Sequence, residues 1–181
     1  MTGLGEDTSV LHARSIDECH IYMQLHPCTC GEPLFVWSRH GQAGHPEGVL
    51  SVYEGSCGRC GASRRFEFVL PADPAPPPAI GGPEPSAIID PAQFLLAARQ
   101  AVSAVRAGAA PTPRDAADAV GFAIAALEEA LKFVPRDGDR IPVEAFFSVE
   151  GRQEHELDPD QFRRDRLVGE VTAYRALLTG A

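Results

Sequence analysis

The chain has 181 residues, 23% of them charged and 44% hydrophobic, with a formal net charge of −9. That composition is globular and excludes a disordered tail, and the length allows one ordinary domain or two small ones. Residues 1–70 carry 8 acids against 5 bases, residues 71–90 carry 3 against none, and residues 91–181 carry 14 against 11. No part is basic enough to wait for a phosphate backbone. Lys132 is the only lysine beside fifteen arginines. With the abundant Ala, Gly and Pro, this usage points to a GC-rich bacterial genome.

The first ten residues, Met1 to Val10, have neither a basic start nor an apolar run, so no secretory signal is read there. The strongest uncharged apolar stretch, Ala119 to Leu127, is far short of the ~20 residues that span a bilayer. The chain reads as soluble and cytoplasmic. Phosphate-loop, nucleophile-elbow and His-Glu-x-x-His patterns are absent.

In chain order, Ser15-Ile16-Asp17-Glu18 reads as a capping box. Ile16, Cys19 and Met23 then fall on one helical stripe. Cys19 is read as a small buried thiol. The other four cysteines form two pairs. Cys28-Thr29-Cys30-Gly31 is followed 26 residues later by Cys57-Gly58-Arg59-Cys60-Gly61. A tight turn between two thiolates aims both sulfurs at one point, and the glycine after each pair allows the backbone to turn its amides toward them. Two such turns make a four-sulfur cage suited to one structural Zn²⁺. A disulfide or redox pair is the competing reading. A redox Cys-x-x-Cys, however, belongs at a helix start, whereas a strand follows this one.

Between and after the pairs, Leu34–His40 and Val49–Tyr53 read as strands joined by a loop, Gly41–Gly48. Arg64–Leu70 alternates, with Phe66, Phe68 and Leu70 on one face. Over residues 26–70 the chain resembles the zinc-ribbon family of three-stranded metal modules. The resemblance implies Cys28, Cys30, Cys57 and Cys60 as metal ligands. The first turn is one residue shorter than the family's usual Cys-x-x-Cys, so His26 is a candidate substitute for Cys28.

Pro71 to Ser86 holds seven prolines in 16 residues. It cannot be a central strand or helix. It reads as a spacer that could reach roughly 50 Å if fully extended. Three helices follow. Asp90-Pro91 opens the first, with Phe94, Leu95, Ala98, Ala101, Val102 and Val105 inward, and Gly108 ends it. Thr112-Pro113 opens the second, with Val120, Ile124, Leu127 and Leu131 inward. Asp158-Pro159 opens the third, with Phe162, Leu167, Val171, Tyr174 and Leu178 inward. Ile141–Phe147 reads as a short strand or one helical turn. The acidic run around Glu154-His155-Glu156 reads as a solvated helix start.

The expected fold is therefore α+β, with three parts. Residues 1–70 form a short helix and a three-stranded zinc ribbon, 71–86 a linker, and 87–181 a three-helix domain. The expected function is non-enzymatic: a zinc-binding regulator, with an adaptor or a toxin-immunity protein as versions of that class, whose partner is another protein. Two alternatives compete. One is nucleic-acid binding through Trp37, Arg39, Arg64, Arg65, Phe66 and Phe68, against which the acidity of residues 1–70 counts. The other is an enzyme with a site between the two parts, built from His45, Glu47 and the Glu154–Asp160 cluster.

Overall fold

In a computed structural model, residues 10–76 and 79–179 are described. The reading of the first nine residues, and Pro77 and Pro78 of the linker, lie outside them. The chain is a mixed α and β protein and divides into two compact units, Met1–Pro76 and Pro77–Ala181.

The first unit holds β1 (Leu11–His12), α1 (Ile16–Leu25), β2 (Val36–His45), β3 (Gly48–Ser56) and β4 (Ser63–Leu70). Among the described residues the sheet has four strands, in the order β1-β4-β3-β2, where three were expected. The extra strand is only two residues long and shows no alternation. It pairs parallel to β4, with Leu11 against Phe68 and His12 against Val69. The other pairs are antiparallel. A second correction concerns β2, which starts at Val36 and runs to His45. It takes Gly41–His45, expected as loop, into a long hairpin that turns at Pro46-Glu47. Pairing with β3 overrides the weak strand preference of glycine.

Helix α1 is capped by Ser15, whose hydroxyl accepts from the Glu18 amide at 3.0 Å. Cys19, Ile21 and Met23 are buried, but Ile16 is 40% exposed and leaves the expected stripe. The fully buried Glu18 carboxylate accepts from the Arg14 guanidinium at 2.6 Å and from the Arg14 backbone amide at 2.6 Å. A buried charge thus has its partner. The core between helix and sheet is aromatic. Tyr22 meets Phe68 edge-on at 5.6 Å, and Tyr53 and Phe68 are almost fully buried.

Among the described residues the second unit has four α-helices rather than three: α2 (Pro91–Arg106), α3 (Pro113–Leu131), α4 (Val149–Leu157) and α5 (Arg164–Thr179). The acidic run around His155 lies on α4, which Ser148 caps through the Gly151 amide at 2.8 Å. Asp158-Pro159 opens only a short 3-10 turn, and α5 starts at Arg164. Val143–Ala145 is also a 3-10 turn, which decides the ambiguous Ile141–Phe147 stretch. Leu178, expected inward, is 40% exposed.

Helix α2 packs on α3 and α4, and α3 packs on α5. Ala98, Ala123, Ala126 and Ala130 are fully buried, and these small side chains let the helices approach closely. The end of the proline-rich stretch belongs to this core. Ile80, Ser86, Ile88 and Ile89 are buried, and Lys132 Nζ donates to the Gly82 carbonyl at 2.6 Å. No helix among the described residues is long and apolar enough to cross a membrane.

Candidate metal centre

The two cysteine turns have the same design at different lengths. In the first, the Gly31 amide donates to the Cys28 carbonyl at 2.7 Å, and the Cys28 amide donates to the Glu32 carbonyl at 2.9 Å. In the second, the Gly61 amide donates to the Cys57 carbonyl at 2.8 Å, and the Cys57 amide donates to the Ala62 carbonyl at 2.8 Å. Each closing bond spans one residue fewer in the first turn, which absorbs the missing position. Gly31 and Gly61 have φ of 84° and 74°. That left-handed conformation favours glycine and swings the chain away after the second thiol.

The second turn joins β3 to β4, so the hairpin itself delivers Cys57 and Cys60. The first turn lies between α1 and β2. The four sulfurs come together, all within 4.8 Å of one another, and could hold a metal ion. Cys28 Sγ lies 3.6 Å from Cys60 Sγ, and Cys30 Sγ 3.6 Å from Cys57 Sγ. A tetrahedral ion with metal–sulfur bonds of about 2.3 Å needs sulfurs about 3.8 Å apart, so the spacing fits. Cys28 and Cys57 are buried, and Cys30 and Cys60 face solvent.

The thiols differ in acidity. The Cys30 amide, hydrogen-bonded to Cys28, and the neighbouring thiols pull Cys28 down to about 6 against the opposing effect of burial. The Cys60 amide likewise lowers Cys57. For Cys30, the Glu32 amide lowers the value, but burial and hydrogen bonds to the other three sulfurs push it up to about 12. Crowded sulfurs cannot all ionise without a compensating cation, so protons stay on some of them until a metal displaces them.

His26 is not in the cluster. Its Nδ1 lies 2.7 Å from the Tyr22 carbonyl, and its ring stacks on Tyr22 at 3.8 Å. Arg59 and Arg64 instead bond backbone carbonyls at and beside the first cysteine turn, contacts that no local spacing encodes. Arg59, within the second turn, donates to the Cys30 carbonyl at 3.3 Å. Arg64 lies over the rings of Phe35 and Phe66, at 4.9 and 5.0 Å, and donates to the His26 carbonyl. The only early signal for Arg59 was its place between Cys57 and Cys60.

The residues considered for nucleic acid divide between the two faces of the sheet. Trp37, Arg64, Phe66 and Phe68 share the face toward α1, where Trp37 stacks on His20 at 5.1 Å and Phe68 is fully buried. Arg39 and Arg65 lie on the other face, both paired with Glu54. Of the residues considered for catalysis, His45 Nδ1 accepts from the Glu47 amide at 3.2 Å. His155 packs on Phe146 at 4.6 Å in the second unit. Neither joins the cysteines. The chain matches no protein-family model, no curated protein and no solved structure.

Proposed function

We propose that Cys28, Cys30, Cys57 and Cys60 hold one structural Zn²⁺, that β2, β3 and β4 with their two cysteine turns act as a zinc ribbon, and that the chain works by binding another protein. The observation that carries this reading is the convergence of four sulfurs at tetrahedral spacing. Thiolate donors suit Zn²⁺, and four of them leave no open position for a substrate or an activated water. A closed site is a staple, and it supports a binding role over metal-assisted hydrolysis. A reducing compartment, the bacterial cytoplasm, would keep such thiols available.

The nucleic-acid alternative draws less support. Its aromatic and basic residues do not share one face, and Arg39 and Arg65 are paired with carboxylates. The test is native mass spectrometry with elemental analysis on protein purified gently from its own cells. One zinc per chain and a stoichiometric protein partner are expected. Iron in place of zinc would overturn the metal assignment. A bare chain that instead binds single-stranded or duplex probes at low salt would overturn the protein-binding role.

A further inference from the structure

β2 ends its sheet, and no other strand among the described residues pairs with its outer side. It is ten residues long, and nine of them are exposed. It carries no proline and no lysine, two of the devices that usually blunt an open edge. Gly41 and Gly44 lie inside it. Neither has a positive φ, and a Cβ on either would meet nothing within 4 Å. Gly55 on β3 is different, because a Cβ there would collide with the Val36 carbonyl. The fold needs Gly55 but not Gly41 or Gly44, although glycine weakens a strand. A bare strand position of this kind suits the close approach of another backbone.

Gly41 also opens a trough of about 260 Å³ on the outer face, floored by Ala43 and Val52 and walled by Arg39, Glu54 and Arg65. Across the strands, Arg39 faces Glu54 and Glu54 faces Arg65. The row alternates in charge and ends in a cation at the open edge. Arg65 is held by both Glu54 and Glu67, whereas the Arg39 side chain is 81% exposed and reaches Glu54 only at 3.4 Å. The next strand in such a ladder is favoured by a carboxylate opposite Arg39. Opposite Gly41, an apolar side chain can lean across the bare backbone onto Val52.

We propose that the outer edge of β2 docks an extended segment of a partner protein, which adds as a fifth strand with a carboxylate against Arg39 and, two residues along, an apolar side chain over Gly41. Main-chain hydrogen bonds supply the affinity and the trough supplies the selection. This inference rests on the protein-binding reading and names its surface.

The test is fluorescence anisotropy of the metal-loaded full chain with a labelled peptide whose core reads Thr-Glu-Thr-Val-Thr. Saturable binding is expected. Gly41→Val adds a Cβ that meets nothing within 4 Å and extends its methyls into the trough, so it should weaken binding by about tenfold or more while the melting temperature holds or rises. Arg39→Glu should weaken it comparably, and a peptide with Lys in place of Glu should restore it. Absence of saturable binding to the unaltered chain, or equal binding by both variants, would overturn the proposal. So would self-association of the free chain that Gly41→Val abolishes, since the occupant would then be a second copy. A protein partner seen by native mass spectrometry that both variants retain would overturn this surface and leave the protein-binding reading standing.

Discussion

Cys57 and Cys60 carry the first prediction at the scale of single residues. In Cys57→Ser or Cys60→Ser the cage keeps three thiolates and loses its closed tetrahedron. In zinc-finger peptides bound structural zinc contributes roughly 10–16 kcal/mol, so on the proposed assignment its loss is a loss of folding energy. Either variant should lose bound metal and the circular-dichroism signal of the first unit. Wild-type melting and metal content would remove the assignment. Cys19 should behave in the opposite way. It is fully buried and donates to the Ser15 carbonyl at 3.3 Å. Burial first, then the Glu18 charge, raises its thiol from 9.0 to about 12. A raised acid favours the folded state while it stays protonated. That contribution is complete below pH 9.0 and fades as pH rises toward about 12. Cys19→Ala should flatten the decline of the melting temperature across that range. With a thiol reagent near neutral pH, Cys19 should stay protected in the metal-loaded chain and become reactive together with the other four thiols once chelation unfolds the first unit.

Among the helices, Asp90 joins two starts. Its Oδ1 accepts from the amides of Ala92 and Gln93 and caps α2, at 2.9 and 3.1 Å. Its Oδ2 accepts from the Ser148 amide at 2.9 Å and from the Ser148 hydroxyl, so it also fixes the start of α4. Gly151 lies directly against this carboxylate, and a Cβ there would collide with it. Replacing a helical glycine by alanine normally stabilises by up to about 1 kcal/mol. Here the sign should reverse, and Gly151→Ala should cost about 1–3 kcal/mol by overpacking. Urea denaturation of the variant measures it, and a gain in stability would refute the contact. The Asp90-Pro91 start was legible in sequence, because its capping partners lie within three residues. Its link to Ser148 was not, because 58 residues intervene. The same limit hid α4, whose short, charged sequence has only Gly151 buried.

The whole molecule consists of two compact units, each with its own buried core. The four-cysteine cluster lies wholly in the first, and the Asp90 junction wholly in the second. Two melting transitions are therefore expected. A strong chelator should abolish one and leave the other, and Gly151→Ala should move only the second. A single transition lost as a whole on chelation would show that the cores do not stand separately.

What the sequence determined alone was local. The cysteine pairs and their glycines set the two turns, Ser15, Asp90 and Thr112 set helix starts, and the alternation of Phe66, Phe68 and Leu70 set a strand. In each case the interacting groups lie within a few residues, so spacing carries the information. Tertiary structure decided the rest. It joined the two cysteine turns into one cluster, drew Leu11–His12 onto β4 and carried β2 through Gly41 and Gly44. It also buried Ile80 and Ser86 and engaged Asp90 at a second helix. Those outcomes depend on pairing and burial between distant segments, where the strength of a weak local signal is set by the partner it meets.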